Sequence, residues 1–194
     1  MTEKRLKKFK FVVSKRQKFL TLVLENIHDP HNVSAILRTA DAVGVDKVFL
    51  IYNSNKFPKI GKVSSASAKK WITLFRFNNA ADCFRELKKE KYNIYSTHIN
   101  SNGNNSSIFE LDFTKKIAIV LGNEHEGVSD DVKNLADGNL IIPMYGMIQS
   151  LNVSVSAAVC LYEALRQREL KSMYKKSKYS KKELNEKLKD YISR

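Results

Sequence analysis

The sequence predicts an α/β fold, a mostly parallel sheet with helices on both faces. Apolar runs alternate with helical patterns along nearly the whole chain. The runs are more often continuously apolar than alternating, as strands buried on both faces are. With 43% hydrophobic residues in 194, the chain can bury the core of one ordinary domain.

Residues 3–18 (EKRLKKFKFVVSKRQK) read as a short basic helix with Leu6, Phe9, Val12 and Val13 on one side. LTLVLENI (20–27), VDKVFLIY (45–52), TLFRF (73–77), YNIYSTH (92–98), KIAIVLG (116–122) and NLIIPM (139–144) read as strands. Between the first two, Asn32 is the expected N-cap of a helix carrying Val33, Ile36, Leu37 and Ala40, with Gly44 as its stop. Ala80, Cys83, Phe84 and Leu87 give a second helical stripe, and residues 129–136 a short helix. Residues 152–172 form a long helix, small and apolar almost all round in its first half, expected to be buried against the sheet or another subunit. From about 173 a lysine-rich linker leads to an amphipathic helix with Leu184, Leu188, Tyr191 and Ile192. The expected organisation is a basic arm (1–18), a main domain (19–170) and a basic extension (171–194).

The formal charge is +14, unevenly placed. Residues 1–18 hold eight Lys/Arg and one acid, and residues 166–194 eleven and four. The body between them holds fifteen of each sign. A neutral body with two basic ends points to a polyanion, most often nucleic acid. No apolar stretch approaches the ~18–20 residues of a membrane span, and no h-region follows the N-terminal cations. No membrane partner is therefore expected. Cys83 and Cys160 sit in helix-like apolar patterns and read as core thiols, which fits a reducing cytoplasm.

Ligands of such sheets gather at the carboxyl ends of the strands, and three loops there are unusual. In the first (25–44), Arg38 lies on the polar face of a helix whose N-terminus carries Asn32. Free N–H groups and a cation there suit a phosphate, although Arg38 pairing with Asp41 one turn on would serve equally. His28 and His31, with no nearby Cys and no H-E-x-x-H pattern, do not make a metal site. The second loop (LGNEHEGVS, 121–129) has Gly122 and Gly127 at Walker A spacing, but Val128 replaces the lysine. Glu124 and Glu126 would repel a phosphate, so the loop suits a neutral or cationic ligand. The third (141–158) is rich in Met, Gly and small polar residues and opens the most apolar helix. Ser150 or Asn152 caps that helix, and the loop suits a flat, mostly apolar ligand. G-x-G-x-x-G is absent from the chain.

Together these segments resemble the three motifs of the SPOUT superfamily, specifically the TrmH-type RNA ribose 2′-O-methyltransferases. The first runs from Asn32 through Arg38 to Gly44, the second from Leu121 to Ser129, the third from Ile142 to Ser154; the resemblance covers about residues 4–170. It implies a deep trefoil knot near the C-terminal end of the fold and S-adenosylmethionine as methyl donor, without a metal. It places cofactor contacts at Thr97, Gly122, Ile142 and Leu151. Catalytic and RNA-gripping positions match Asn32, Arg38, Glu124, Ser150 and Asn152. It also implies a homodimer whose active site includes parts of both subunits.

The short basic helix before motif one and the basic extension after motif three resemble the subfamily that methylates guanosine 18 in the tRNA D-loop. The alternatives are a methyltransferase of another RNA site (the tRNA wobble position or rRNA) and a non-catalytic RNA-binding module, which would carry degenerate motifs. The resemblance assigns Arg38 as base. A guanidinium holds its proton to above ~12, so the physical alternative is that Arg38 fixes a phosphate and stabilises the developing alkoxide.

Overall fold

The structure, a computed structural model, describes residues 1–53, 57–58, 68–100 and 105–194. Within these residues seven parallel strands form one sheet: β1 (Leu20–Glu25), β2 (Lys47–Ile51), β3 (Thr73–Phe77), β4 (Asn93–Thr97), β5 (Ser106–Ser107), β6 (Ile117–Leu121) and β7 (Gly138–Ile141). Their order across the sheet is β3-β2-β1-β6-β4-β7-β5, and every pairing is parallel. The mostly apolar runs mark the centre: all six residues of β1 and all five of β6 are buried. β5 and a four-residue helix, α3 (Ala68–Trp71), lack a sequence signature. β5 exists because Ser106 and Ser107 pair with Leu140 and Ile141 of β7.

The helices divide between the faces. On one, α2 (Pro30–Ala42) and α6 (Val153–Leu170) bury Val33, Ile36, Leu37, Ala157, Cys160 and Leu161 against Leu22, Leu24, Leu50 and Ile119. On the other, α4 (Ala80–Lys89) and α5 (Asp130–Leu135) bury Cys83, Phe84, Leu87 and Val132 against Val23, Phe49, Ala118 and Val120. The α6 expectation is half met. One side is core, while Val155 and Tyr162, two turns apart on another side, are 46% and 55% exposed.

Helix α2 starts earlier than expected, with Asp29 as its N-cap accepting the His31 N–H and Pro30 in the first turn. Asn32 is therefore not the cap. Proline needs no N–H partner at a helix start, so Asp-Pro sets the boundary three residues upstream of the expected cap. Gly44 does stop the helix, with φ +85.

The two basic ends are joined, not loose. Helix α1 (Glu3–Lys15) and helix α7 (Lys181–Ser193) pack through Phe9, Val13 and Tyr191, with Trp71 and Leu188 alongside. The Trp71 ring lies 5.3 Å from Phe9 and 5.1 Å from Tyr191. Arg16, Asp46 and Trp71 lie shortly before the starts of β1, β2 and β3, so this cluster lies at the amino edge of the sheet. Lys18 reaches Glu183 at 2.5 Å, and the buried Asp46 accepts from Tyr179 Oη at 2.7 Å and pairs with Lys187. Two end cations are wholly internal. Arg168 donates to the carbonyls of Phe113 (2.8 Å), Phe19 (2.8 Å) and Lys115 (2.9 Å), tying the end of α6 to the starts of β1 and β6. Burial pushes its guanidinium down to about 10. Arg16 is the other. Among the described residues, no helix is long and apolar enough to cross a membrane.

Candidate active site

The three unusual loops meet at the carboxyl edge. β1 ends in Glu25-Asn26, β2 in Ile51, β4 in Thr97, β6 in Leu121 and β7 in Ile141, so loops leaving five strands share one edge. The chain turns sharply at Asn26, in the left-handed region at φ 47, which asparagine tolerates better than most residues. Tyr52 Oη donates to the Ile27 carbonyl at 2.9 Å and fixes the next step. Burial, with Glu124 adding to it, raises the Tyr52 phenol above its ordinary range, so it stays a donor.

The second loop is built on this turn. Asn123 Nδ2 donates to the Asn26 carbonyl at 3.0 Å, while Asn123 Oδ1 accepts the N–H groups of His125 and Glu126 at 2.8 and 3.2 Å. Asn123 and Gly127 exchange backbone hydrogen bonds, both 2.9 Å, closing a tight hairpin with Gly127 at φ +69. A Cβ on Gly122 would overlap the backbone of Gly127 and Val128, so only glycine fits there. The buried Glu25 carboxylate accepts from Ser129 N at 2.9 Å and Ser129 Oγ at 2.6 Å, and Ser129 in turn caps α5.

This frame carries Glu124 to Asn32. Asn32 Nδ2 donates to Glu124 Oε1 at 2.8 Å, and Asn152 Nδ2 donates to Asn32 Oδ1 at 3.2 Å. One residue from each loop thus joins a single hydrogen-bonded chain. Asn152, not Ser150, caps α6; its Oδ1 accepts from Ser154 N at 2.8 Å. The amide serves both ends, with Oδ1 on the helix and Nδ2 on the site.

Two expected residues stand outside the chain. Ser150 is exposed and makes no hydrogen bond among the described residues. Arg38 lies six residues beyond Asn32 on α2, about 9 Å along the axis and on another side. It is exposed, and its side chain has no ion pair or hydrogen bond among the described residues. The alternative partner, Asp41, pairs instead with Arg16.

The four expected cofactor positions all lie at this edge. Thr97 ends β4 and donates through Oγ1 to the Val120 carbonyl at 2.9 Å. Gly122 follows β6, Ile142 follows β7, and Leu151 precedes α6. From Ile142 to Leu151 the backbone N–H and C=O groups make no hydrogen bond among the described residues, leaving donors and acceptors open to a ligand. Tyr145 and Met147 in the same loop are 98% and 99% exposed. Open backbone groups, apolar side chains and the exposed carboxylates of Glu124 and Glu126 fit an adenosyl group bearing a positive sulfonium. Among the described residues, no cluster of three or more His, Cys, Asp or Glu is arranged to hold a metal.

Sequence reading gives no role to Glu25, Asn26 or Asn123. Their signal is thin: three polar residues at or just beyond the ends of two mostly apolar strands.

The model of the SpoU rRNA Methylase family matches residues 19–162. The chain is 40% identical to the tRNA (guanosine(18)-2′-O)-methyltransferase of Aquifex aeolicus, over 97% of this chain and 89% of that one. It superposes on the crystal structure of the A. aeolicus TrmH/SpoU tRNA modifying enzyme with a TM-score of 0.91, covering 98% of this chain and 96% of that one at 39% identity. It is also similar to the SpoU methyltransferase AviRb of Streptomyces viridochromogenes in complex with AdoMet, with a TM-score of 0.70 and 26% identity over 80% of this chain and 62% of that one.

Proposed function

The chain belongs to the SpoU rRNA Methylase family, and from that premise we propose how its carboxyl edge works. The enzyme methylates the ribose 2′-hydroxyl of guanosine 18 in the tRNA D-loop, with S-adenosylmethionine as methyl donor. The observation that carries the assignment of the site is the hydrogen-bonded chain Glu124–Asn32–Asn152, which joins all three motifs at one edge.

S-adenosylmethionine supplies an electrophilic methyl group on a positively charged sulfur. The open backbone groups between Ile142 and Leu151 hold the donor, together with Gly122 and the end of β4 at Thr97. Glu124 and Glu126 offset its charge. A ribose hydroxyl is a poor nucleophile at neutral pH, so the protein must orient it and favour loss of its proton. Arg38 does this as a cation. It holds the phosphate beside the target ribose and stabilises the alkoxide as the proton passes to solvent water. Glu124 fixes the Asn32 amide, and Asn32 and Ser150 position the ribose.

A homodimer completes this reading. Within one protomer Arg38 stands apart from the Asn32 cluster, and the exposed Val155 and Tyr162 give α6 an apolar side for a second subunit. A deep C-terminal trefoil knot belongs to the same proposal. It is supported by β6 and β7 flanking β4 on opposite sides, with α5 crossing one face and α6 the other. The exposed lysines of residues 1–18 and 171–194 bind tRNA phosphates, and the enzyme works in the cytoplasm with its substrate.

The test is methyl transfer to unmodified tRNA and to the same tRNA with guanosine 18 replaced. Label is expected on the first and not on the second. Label that persists after the replacement, or that appears at the wobble position or in rRNA instead, overturns the assignment.

A further inference from the structure

We propose that Arg16 is a positioning residue for methyl transfer: by holding the Asp41 carboxylate it keeps Arg38 free for RNA. The proposal rests on the reading of Arg38 as a catalytic residue. Arg38 and Asp41 are three residues apart on α2, the spacing at which opposite charges meet on a helix surface. They do not meet here. Asp41, with 31% of its side chain exposed, pairs with Arg16, whose own side chain is fully buried.

The rest of the Arg16 guanidinium is equally committed. Nε donates to Tyr191 Oη at 2.7 Å, Nη1 to the carbonyls of Asp41 at 3.2 Å and Val45 at 3.0 Å, and Nη2 also to Trp71 O at 3.2 Å. Asp41 cannot turn to Arg38 without depriving a buried cation of the carboxylate it pairs with. Breaking a buried pair costs far more than an exposed pair on one helix returns. The competition is therefore settled in favour of Arg16, and Arg38 keeps its charge for the substrate.

This pairing also gives the C-terminal helix a part in the chemistry. Tyr191 of α7 covers Arg16, accepts its Nε–H and donates its own hydroxyl proton to Trp71 O at 2.9 Å. α7 thus acts on Arg38 through two intermediates, Arg16 and Asp41, from the opposite edge of the sheet.

The experiment uses the full chain and unmodified tRNA. Arg16→Gln frees Asp41 and is expected to lower kcat at least tenfold with a smaller change in KM. Adding Asp41→Asn to that variant removes the competitor and is expected to restore kcat to within about threefold of the parent. A purely structural Arg16 predicts the reverse, because the double variant lacks both partners; no recovery overturns the proposal. Should Arg16→Gln fail to fold, a free acid is placed beside Arg38 in the parent chain instead. The exposed Ala42 is four residues from Arg38, so Ala42→Glu should lower kcat while Ala42→Gln does not; equal activities overturn the proposal. Arg38→Ala, assayed alongside, separates the two claims. If it still turns over, the catalytic reading of Arg38 fails. If it is inactive while the Arg16 and Asp41 variants do not behave as stated, only the present inference fails.

Discussion

Asn32 shows how one side chain joins segments far apart in sequence. Its amide accepts from Asn152 and donates to Glu124, so removing it disconnects three loops at once. Asn32→Ala is expected to lower kcat about 100-fold through misplaced groups, with little change in melting temperature, because the residue is only half-buried. Arg38→Ala is expected to abolish turnover while S-adenosylmethionine binding, measured by calorimetry, stays near normal. Gly122 is a packing site. Gly122→Ala forces a methyl group into the Gly127–Val128 backbone and should cost about 3 kcal/mol in urea unfolding. At this scale the sequence is partly legible. Asp29-Pro30 carries the helix start, although Asn32 draws attention as a cap. Arg16 and Arg168 are not legible, because lysine-rich and arginine-rich ends read as solvated until long-range packing buries two of their guanidinium groups.

Among the elements, those with a repeating apolar pattern are readable and those held only by tertiary packing are not. β6 announces itself as an unbroken apolar run, and β1 as one broken only by Thr21 before its terminal Glu25, because both their faces are covered. β5 is two serines that become a strand only beside β7. Leu184, Leu188 and Tyr191 predict helix α7, but not its docking on α1, since nothing local says which surface its apolar side meets. That docking has a pH signature. Lys18, aided by the Ser180 N–H, holds the Glu183 carboxyl down to about 2 from an ordinary 4.5. A carboxyl with a depressed folded-state pKa stabilises fully above about 4.5 and loses that contribution as pH falls to about 2. Trp71, the only tryptophan, lies against Tyr191 and reports α7 docking by its fluorescence. The emission should shift across that acid range in the parent. In Glu183→Gln the part of the shift due to this group should be missing.

For the whole molecule, the charge map divides the labour. The amino edge carries both basic ends and the carboxyl edge carries the motifs. They are separated by strands of up to six residues, about 20 Å. A tRNA held by the basic ends therefore has to extend along the protein to reach the site. Because Arg16 and Tyr191 are internal, deleting either end would damage more than charge. Neutralising the exposed Lys4, Lys7, Lys8 and Lys10 to Gln is the cleaner test. The slope of log Kd for tRNA against log salt should flatten by about 0.7–0.9 for each phosphate no longer neutralised. An unchanged slope would remove α1 from the tRNA surface. The overall architecture is legible because alternating βα segments permit few arrangements. The strand order is not, because which strand enters the centre depends on pairing between distant segments.

That strand order constrains how the protein is made. β6, the central strand, lies between β1 and β4 yet follows both in the chain. A nascent chain leaving the ribosome can assemble β3-β2-β1 early. β4 then has no neighbour to pair with until residues 117–121 have emerged to fill the gap. Such late, long-range pairing slows folding and leaves apolar strand edges uncovered in the meantime. Translation of the last third of the message is thus the period in which this chain most needs protection from its neighbours.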